Sequence, residues 1–222
     1  MSESERRSAV GGRRSLWHFF IRTFFRLLYR EMAWTYDLVA WLVSFGQWKV
    51  WGRAAIPRLR GRRVLELAHG PGHLLVAMRD AEFEPVGLDL SPQMGKLARE
   101  RLRRAKLNVP LVRARAQALP FCAGSFDSVA STFPTEFIIH PATLTEIARV
   151  MGQGGRAVIV PGVLFNASLP ARLLEWLYTI TGQQEPEPPG IANALAEAGL
   201  TLERERERMG MVEALIAVAT KN

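Results

Sequence analysis

The run Val64-Leu65-Glu66-Leu67-Ala68-His69-Gly70-Pro71-Gly72-His73 sets a carboxylate near the end of an apolar stretch and glycines in the turn behind it. Seventeen residues after Gly72 a second apolar stretch, Val86-Gly87-Leu88-Asp89-Leu90, closes on another carboxylate. Glycines let backbone approach a bulky ligand where a Cβ would stand in the way. A carboxylate at the end of the second strand can accept hydrogen bonds from both hydroxyls of a ribose. The chemistry these residue types suit is the cradling of a nucleoside.

Spacing separates two cofactor classes that use such a cradle. A dinucleotide site needs the third glycine of G-x-G-x-x-G, which lets helix pack on strand while the helix N-terminus meets the pyrophosphate. Leu75 stands at that position. Glu66 would repel a pyrophosphate and suits a cationic ligand. The combination favours S-adenosylmethionine. His69 and His73 flank the turn, but no grouping of His, Cys, Asp and Glu has metal-ligand spacing. One cysteine, Cys122, excludes an intramolecular disulfide framework and suits a reducing compartment.

The elements that must position these residues follow from Arg63 onward. Short apolar runs at 63–67, 85–90, 109–113, 126–132 and 156–161 predict buried strands, with helices over 71–81, 92–106 and 141–151 between them. Alternation of this kind predicts an α/β fold, doubly wound, with a mostly parallel seven-stranded Rossmann-like sheet and its ligand at the strands' carboxyl ends. Pro71 is expected in the first turn of its helix. Gly152-Gln153-Gly154-Gly155 is expected to end the last helix and turn the chain into Arg156-Ala157-Val158-Ile159-Val160. The tail 201–219, broken at Gly210, reads as an antiparallel hairpin, and its Glu203 to Arg208 charge alternation as a solvated edge.

Charge divides the chain unevenly. The net charge is +8 over 222 residues, yet residues 1–63 carry 13 Lys and Arg against 4 Asp and Glu, leaving 16 against 17 for the remainder. Trp17, Trp34, Trp41, Trp48 and Trp51, five of the six tryptophans, lie in the same N-terminal quarter. Residues 1–14 have the composition of a disordered basic tail. Residues 15–60 read as amphipathic aromatic and basic helices. In the first of these Arg22, Arg26 and Arg30 form one stripe and Trp17, Phe20, Ile21, Phe24, Leu27 and Leu28 another. A guanidinium near mid-bilayer costs roughly 2.5 kcal/mol or more, so Arg22 and Arg26 argue for a helix lying on a membrane instead of crossing it. Covering the substrate pocket is the alternative role, and contact with nucleic acid the weaker one. A second apolar stretch, 34–46, reads as another helix, and 47–55 as a third that runs up to Pro57.

Several ordered motifs resemble the class I S-adenosylmethionine-dependent methyltransferases over about residues 36 to 219. They are Val64 to Gly72, Gly87-Leu88-Asp89-Leu90-Ser91-Pro92-Gln93-Met94, Ala118-Leu119-Pro120-Phe121 with Ser125-Phe126-Asp127, and Glu146-Ile147-Ala148-Arg149-Val150-Met151 with Gly154-Gly155-Arg156. Within that superfamily the likeness is to the ubiquinone and menaquinone biosynthesis C-methyltransferases, through Tyr36-Asp37-Leu38, Ser44-Phe45-Gly46 and Trp51.

The resemblance implies that residues 61–222 form the methyltransferase domain and that S-adenosylmethionine is the cofactor. Glu66 would support the glycine turn, Ala68, Gly70 and Gly72 make room for the methionine moiety, and Asp89 bind the ribose. Leu90 and Met94 would flank the adenine. Tyr36, Ala116, Gln117 and Thr132 complete the implied cofactor set. Where many relatives carry an acidic residue for the adenine amine, this chain reads Arg113-Ala114-Arg115-Ala116-Gln117, so that contact falls to Gln117 or to backbone.

Methyl transfer is an in-line displacement at a sulfonium, and positioning with desolvation supplies much of the acceleration. A base is needed only for an acceptor that holds a proton, and Tyr36, Glu136 and His140 are its candidates. The lead reading is a cytoplasmic enzyme, peripheral on the inner membrane face through residues 15–30, that methylates a small lipophilic acceptor, quinone-like or lipid. An RNA methyltransferase and a non-catalytic binding module of the same fold are the alternatives. Thr132-Phe133-Pro134 lacks the Asn/Asp-Pro-Pro-aromatic pattern tied to base methylation, which lowers the nucleic-acid reading.

Overall fold

The computed structural model describes residues 48–165, 191–210 and 212–222. The expectations for residues 1–47, Tyr36 and the helix at 15–30 among them, lie outside the described residues. The chain enters through a short helix α1 (Trp48–Gly52) and a 3-10 turn (Arg53–Arg58). There follow β1 (Arg63–Leu67), α2 (His73–Asp80), β2 (Glu84–Leu88), α3 (Pro92–Arg104), β3 (Leu111–Val112) and β4 (Phe126–Thr132). A second 3-10 turn (Glu136–Ile139) leads to α4 (Pro141–Val150), β5 (Met151–Phe165), α5 (Ile191–Glu197), β6 (Leu200–Met209) and β7 (Val212–Lys221).

One seven-stranded sheet runs in the order β3-β2-β1-β4-β5-β7-β6. The first five strands are parallel, and β7 pairs antiparallel with both β5 and β6. The chain winds outward from β1 through β2 to β3, then crosses to the other side of β1 for β4. That reversal opens a crevice at the carboxyl ends of β1 and β4, where α/β sheets bind ligands.

Two cores cover the sheet. On one face the 48–59 stretch and α2 bury Trp51, Ala54, Ala55, Leu59, Leu74, Leu75 and Met78 against Val64, Ala130, Val158 and Ile216. On the other, α4 and α5 bury Leu144, Ile147 and Leu195 against Leu65, Leu67, Val129 and Ala157. After the exposed Arg63, β1 is buried on both faces and reads as an apolar run save for Glu66.

Caps set where the helices start. The Ser91 hydroxyl accepts the Met94 amide at 3.3 Å ahead of Pro92, and His140 Nδ1 accepts the Ala142 amide at 3.2 Å ahead of Pro141. At α2 the cap is Gly72 at φ 79°, so the helix begins at His73 and Pro71 lies in the turn before it, outside the first helical turn where it was expected.

Other boundaries differ from the sequence reading as well. β2 ends at Leu88, which leaves Asp89 and Leu90 in the loop, and β3 shrinks to two residues. Gly152 to Gly155 do not turn the chain into a strand at Arg156: β5 already starts at Met151, opposite Phe126, and the next pair is Ser128 with Arg156. The glycines form a bulge inside one long strand, with Gly154 at φ 69°. On β6 the charges alternate as read, but only one face is solvated. The Arg58 side chain, at 16% exposure, binds Glu205 at 2.8 Å and pairs with Glu207, which pins the edge strand to the entry turn.

Candidate active site

The strand-turn-helix at the crevice is built from residues that leave each other room. Glu66 pairs in register with Gly87 on β2 and Ala130 on β4, the two smallest side chains available beside a carboxylate. A Cβ on Gly87 would stand within 2.8–2.9 Å of Leu111, His69 and Leu75 side-chain atoms, so any larger residue there must displace them. Ser131 Oγ donates to the Leu67 carbonyl at 2.9 Å and ties β4 to the end of β1 where the ladder stops.

The turn after β1 has three positive φ angles in five residues: Ala68 at 54°, Gly70 at 52° and Gly72 at 79°. For alanine that conformation costs roughly 1–2 kcal/mol. A Cβ on Gly70 would meet nothing within 4 Å, so the turn faces open space there. On Gly72 it would touch Ala98 at 3.0 Å, so this glycine also lets α3 close on α2.

Asp89 fixes the turn from the far side. One of its carboxylate oxygens accepts the Gly70 amide at 2.9 Å and the other the Ser91 amide at 2.8 Å, and each keeps a lone pair for a ligand. The carboxylate that bonds the Gly70 amide is therefore Asp89, and Glu66 lies behind the turn near the end of β1. Glu66 is 2% exposed and its Oε2 has no hydrogen-bond partner. Burial, and after it the negative Asp89, pushes its carboxyl well above the ordinary range. His69 is buried and neutral by the same cause, its pKa lowered by desolvation against a smaller opposite pull from Asp89. Its Nδ1 donates to the Gly70 carbonyl at 2.7 Å, which locks the turn from inside.

The other residues singled out in the sequence divide by position. Leu90 is 53% exposed at the crevice rim, whereas Met94 is 4% exposed and packed in the first turn of α3. Ala116 is buried and Gln117 half-buried in the loop after β3. Thr132 ends β4, and a Cβ on Gly52 in α1 would touch its side chain at 3.7 Å, so the entry segment lies against the crevice. Phe133 follows with φ 51°, its amide bonded to the Val160 carbonyl at 2.7 Å. Bulky residues rarely hold that conformation, and with Ala68 it makes two such non-glycine residues at the ends of paired strands. Sequence reasoning missed this pairing, and Thr-Phe-Pro carries no signal of it. Glu136 is exposed at the start of the second 3-10 turn, and exposed His140 spends one ring nitrogen on capping α4. A cavity of about 330 Å³ lies elsewhere, at the amino ends of the strands beside Arg63, Glu84 and Phe126, and has no part in this crevice.

Comparison with known proteins agrees with this geometry. A methyltransferase domain model matches residues 64–155. A demethylmenaquinone methyltransferase of Thermus thermophilus is 35% identical over 139 residues, 60% of this chain and 63% of that protein. A ubiquinone/menaquinone biosynthesis C-methyltransferase of Geotalea uraniireducens is 32% identical over 142 residues, 60% of each chain. The match thus spans about three-fifths of the length of these curated relatives. Among solved structures, a protein of Methanococcus maripaludis assigned as an S-adenosyl-L-methionine-dependent methyltransferase superposes with a TM-score of 0.64 at 19% identity, over 85% of this chain and 92% of that one. Geranyl diphosphate C-methyltransferase of Streptomyces coelicolor gives 0.59 at 14% identity, over 78% and 79%. At such identities these two share the fold. The glycine turn and both carboxylates thus lie within the segment, residues 64–155, that matches a methyltransferase domain, and the whole sheet has the fold of solved methyltransferases.

Proposed function

We propose that this chain transfers a methyl group from S-adenosylmethionine to a small lipophilic acceptor, quinone-like or lipid, at a membrane surface. The observation that carries the cofactor part is the orphaned Glu66 oxygen, fully buried beside an open glycine turn. A buried polar group without a partner costs about 1–3 kcal/mol, and a cationic ligand that also donates hydrogen bonds removes that cost. Asp89, doubly oriented yet with free lone pairs, suits ribose hydroxyls, and exposed Leu90 suits the face of a base. The residues present fit S-adenosylmethionine and would hold it through Glu66, Ala68, Gly70, Gly72, Asp89, Leu90, Ala116, Gln117 and Thr132, with Met94 buried in the first turn of α3.

The cofactor supplies an electrophilic methyl on sulfur. The chain's residues orient and enclose. A carbon acceptor that took the methyl would have to give up its proton, and a base of this chain would receive it. Glu136 and the second ring nitrogen of His140 are the described candidates, since both follow the end of β4 and are exposed. Tyr36 is the candidate outside the described residues.

The relatives' names support the quinone-like acceptor. The surplus of basic residues and tryptophans before residue 63 supports the membrane surface. Among the described residues no helix is long and apolar enough to cross a membrane. Two experiments test the reading. Labelled S-adenosylmethionine and a 2-unsubstituted polyprenyl naphthoquinol should give labelled product; transfer to RNA instead would overturn the acceptor class. Deleting residues 1–30 should abolish binding to anionic vesicles, and undiminished binding would refute the membrane part.

A further inference from the structure

Glu146 and Arg149, one helical turn apart on α4, form a bidentate pair, with Nε to Oε1 at 2.6 Å and the second nitrogen to Oε2 at 2.8 Å. Neither charge ends there. Glu146 Oε2 also accepts the Leu119 amide at 2.6 Å, and Arg149 donates to the carbonyls of Leu119 at 2.9 Å and Phe121 at 2.8 Å. One ion pair therefore satisfies three backbone groups of the long loop between β3 and β4. The Arg149 guanidinium in turn holds the Glu146 carboxyl below the usual carboxylate range.

Elsewhere the loop is held at its two ends by side chains, Arg113 Nε donating to the Leu90 carbonyl at 3.0 Å and Ser125 Oγ to the Cys122 carbonyl at 2.8 Å. Residues 113–125 contain neither strand nor helix, and the main-chain bonds that hold it are Ala118 to Arg115 at 3.1 Å and Gly124 to the Arg149 carbonyl at 3.0 Å. Leu119 is buried, and the Phe121 ring stands edge-on to Phe126 at 5.0 Å. Two residues before the clasped Leu119 lies Gln117, beside buried Ala116. The loop's ligand-facing stretch is thus adjacent in chain to the point where α4 grips it.

We propose that Glu146 and Arg149 are positioning residues for the cofactor: they hold the β3–β4 loop so that Ala116 and Gln117 meet the adenine without an ordering step at binding. This rests on the reading above that the chain binds S-adenosylmethionine with those two residues beside the base. Preorganising a loop moves its entropy cost from binding to folding, so its loss is felt as affinity. Lysine at 149 would keep the charge but lose the planar fork that reaches both carbonyls and the carboxylate at once.

The test uses the full chain. Calorimetry with S-adenosylhomocysteine and with adenosine, which carries the base and ribose alone, is run on wild type, Arg149→Gln, Arg149→Lys and Glu146→Gln. Both ligands should weaken on the order of tenfold by the same factor in Arg149→Gln, with a partial loss in Arg149→Lys. KM for S-adenosylmethionine should rise in step while kcat at saturation stays within about twofold. A lowered thermal midpoint with unchanged affinity for both ligands would make the clasp merely structural and overturn the proposal. If Arg149→Gln does not fold, the Arg149→Lys and Glu146→Gln arms decide by the same criterion. Gln117→Ala separates the two claims: unchanged adenosine affinity there refutes a side-chain contact from Gln117 to the base, whereas weakened affinity there with normal affinity in the clasp variants refutes only the clasp's role.

Discussion

Replacing Glu66 by glutamine should strengthen the empty protein and weaken it as a binder. In the fold the Glu66 carboxyl is 2% exposed, without a partner at Oε2, and titrates well above its ordinary value because of burial and then Asp89. In the unfolded chain it titrates near 4.3. Between those two values the folded protein keeps a proton that the unfolded chain has released. Its stabilising share is therefore complete below the unfolded value and is lost as pH rises toward the folded one, by about 1.4 kcal/mol per pH unit. Glutamine has nearly the same shape and does not titrate. Wild type and Glu66→Gln should match in stability near pH 4.5 and diverge above it with that slope, the variant being the more stable, while other titrating groups cancel in the difference. Urea unfolding of both proteins without cofactor from pH 5 to 8 measures it. Affinity for S-adenosylmethionine should move the opposite way, falling tenfold or more. A stability difference that does not change with pH, or a variant that binds as wild type does, would refute the reasoning.

Three further outcomes follow from the same geometry. Ala68→Gly should raise stability by about 0.5–1 kcal/mol, because relief of a left-handed alanine exceeds the entropy glycine adds to the unfolded chain; a thermal midpoint that falls would contradict it. Gly87→Ala should cost about 1–3 kcal/mol and reduce cofactor affinity, since the new Cβ presses on His69, which the Gly70 carbonyl holds in place; denaturant titration with calorimetry checks both. Arg58→Ala should cost no more than about 1 kcal/mol for each half-exposed partner it loses, Glu205 and Glu207, and the loss should shrink at high salt in urea melts.

What the sequence makes legible here is what depends on chain-local chemistry. The cradle is readable because Ala68, Gly70 and Gly72 need positive φ or close approach, and because Asp89 follows a buried strand at a fixed interval. The sheet's first half is readable because β1 and β2 are short apolar runs between amphipathic helices. Features that depend on a partner strand or a distant helix are not. Gly152 to Gly155 read as a turn, since nothing local tells a bulge opposite Phe126 from a chain reversal. Glu205 and Glu207 read as solvated, since Arg58 lies 147 residues away from the first of them. The bonds that Asp89 and His69 make to Gly70 are not legible either. Glu146 and Arg149 did leave a signal, opposite charges three apart on an otherwise uncharged helix, but not their target in the loop before β4.

The cradle as a cation-accepting nucleoside site is the central claim, and calorimetry of S-adenosylmethionine binding at pH 6, repeated in two buffers of different ionisation enthalpy, tests it most directly. Binding should be measurable below millimolar cofactor and should release protons to the buffer, because a buried neutral Glu66 ionises when a cationic ligand reaches it, and Glu66→Gln should release none. No heat at millimolar cofactor, or binding by wild type without proton release, would contradict the account.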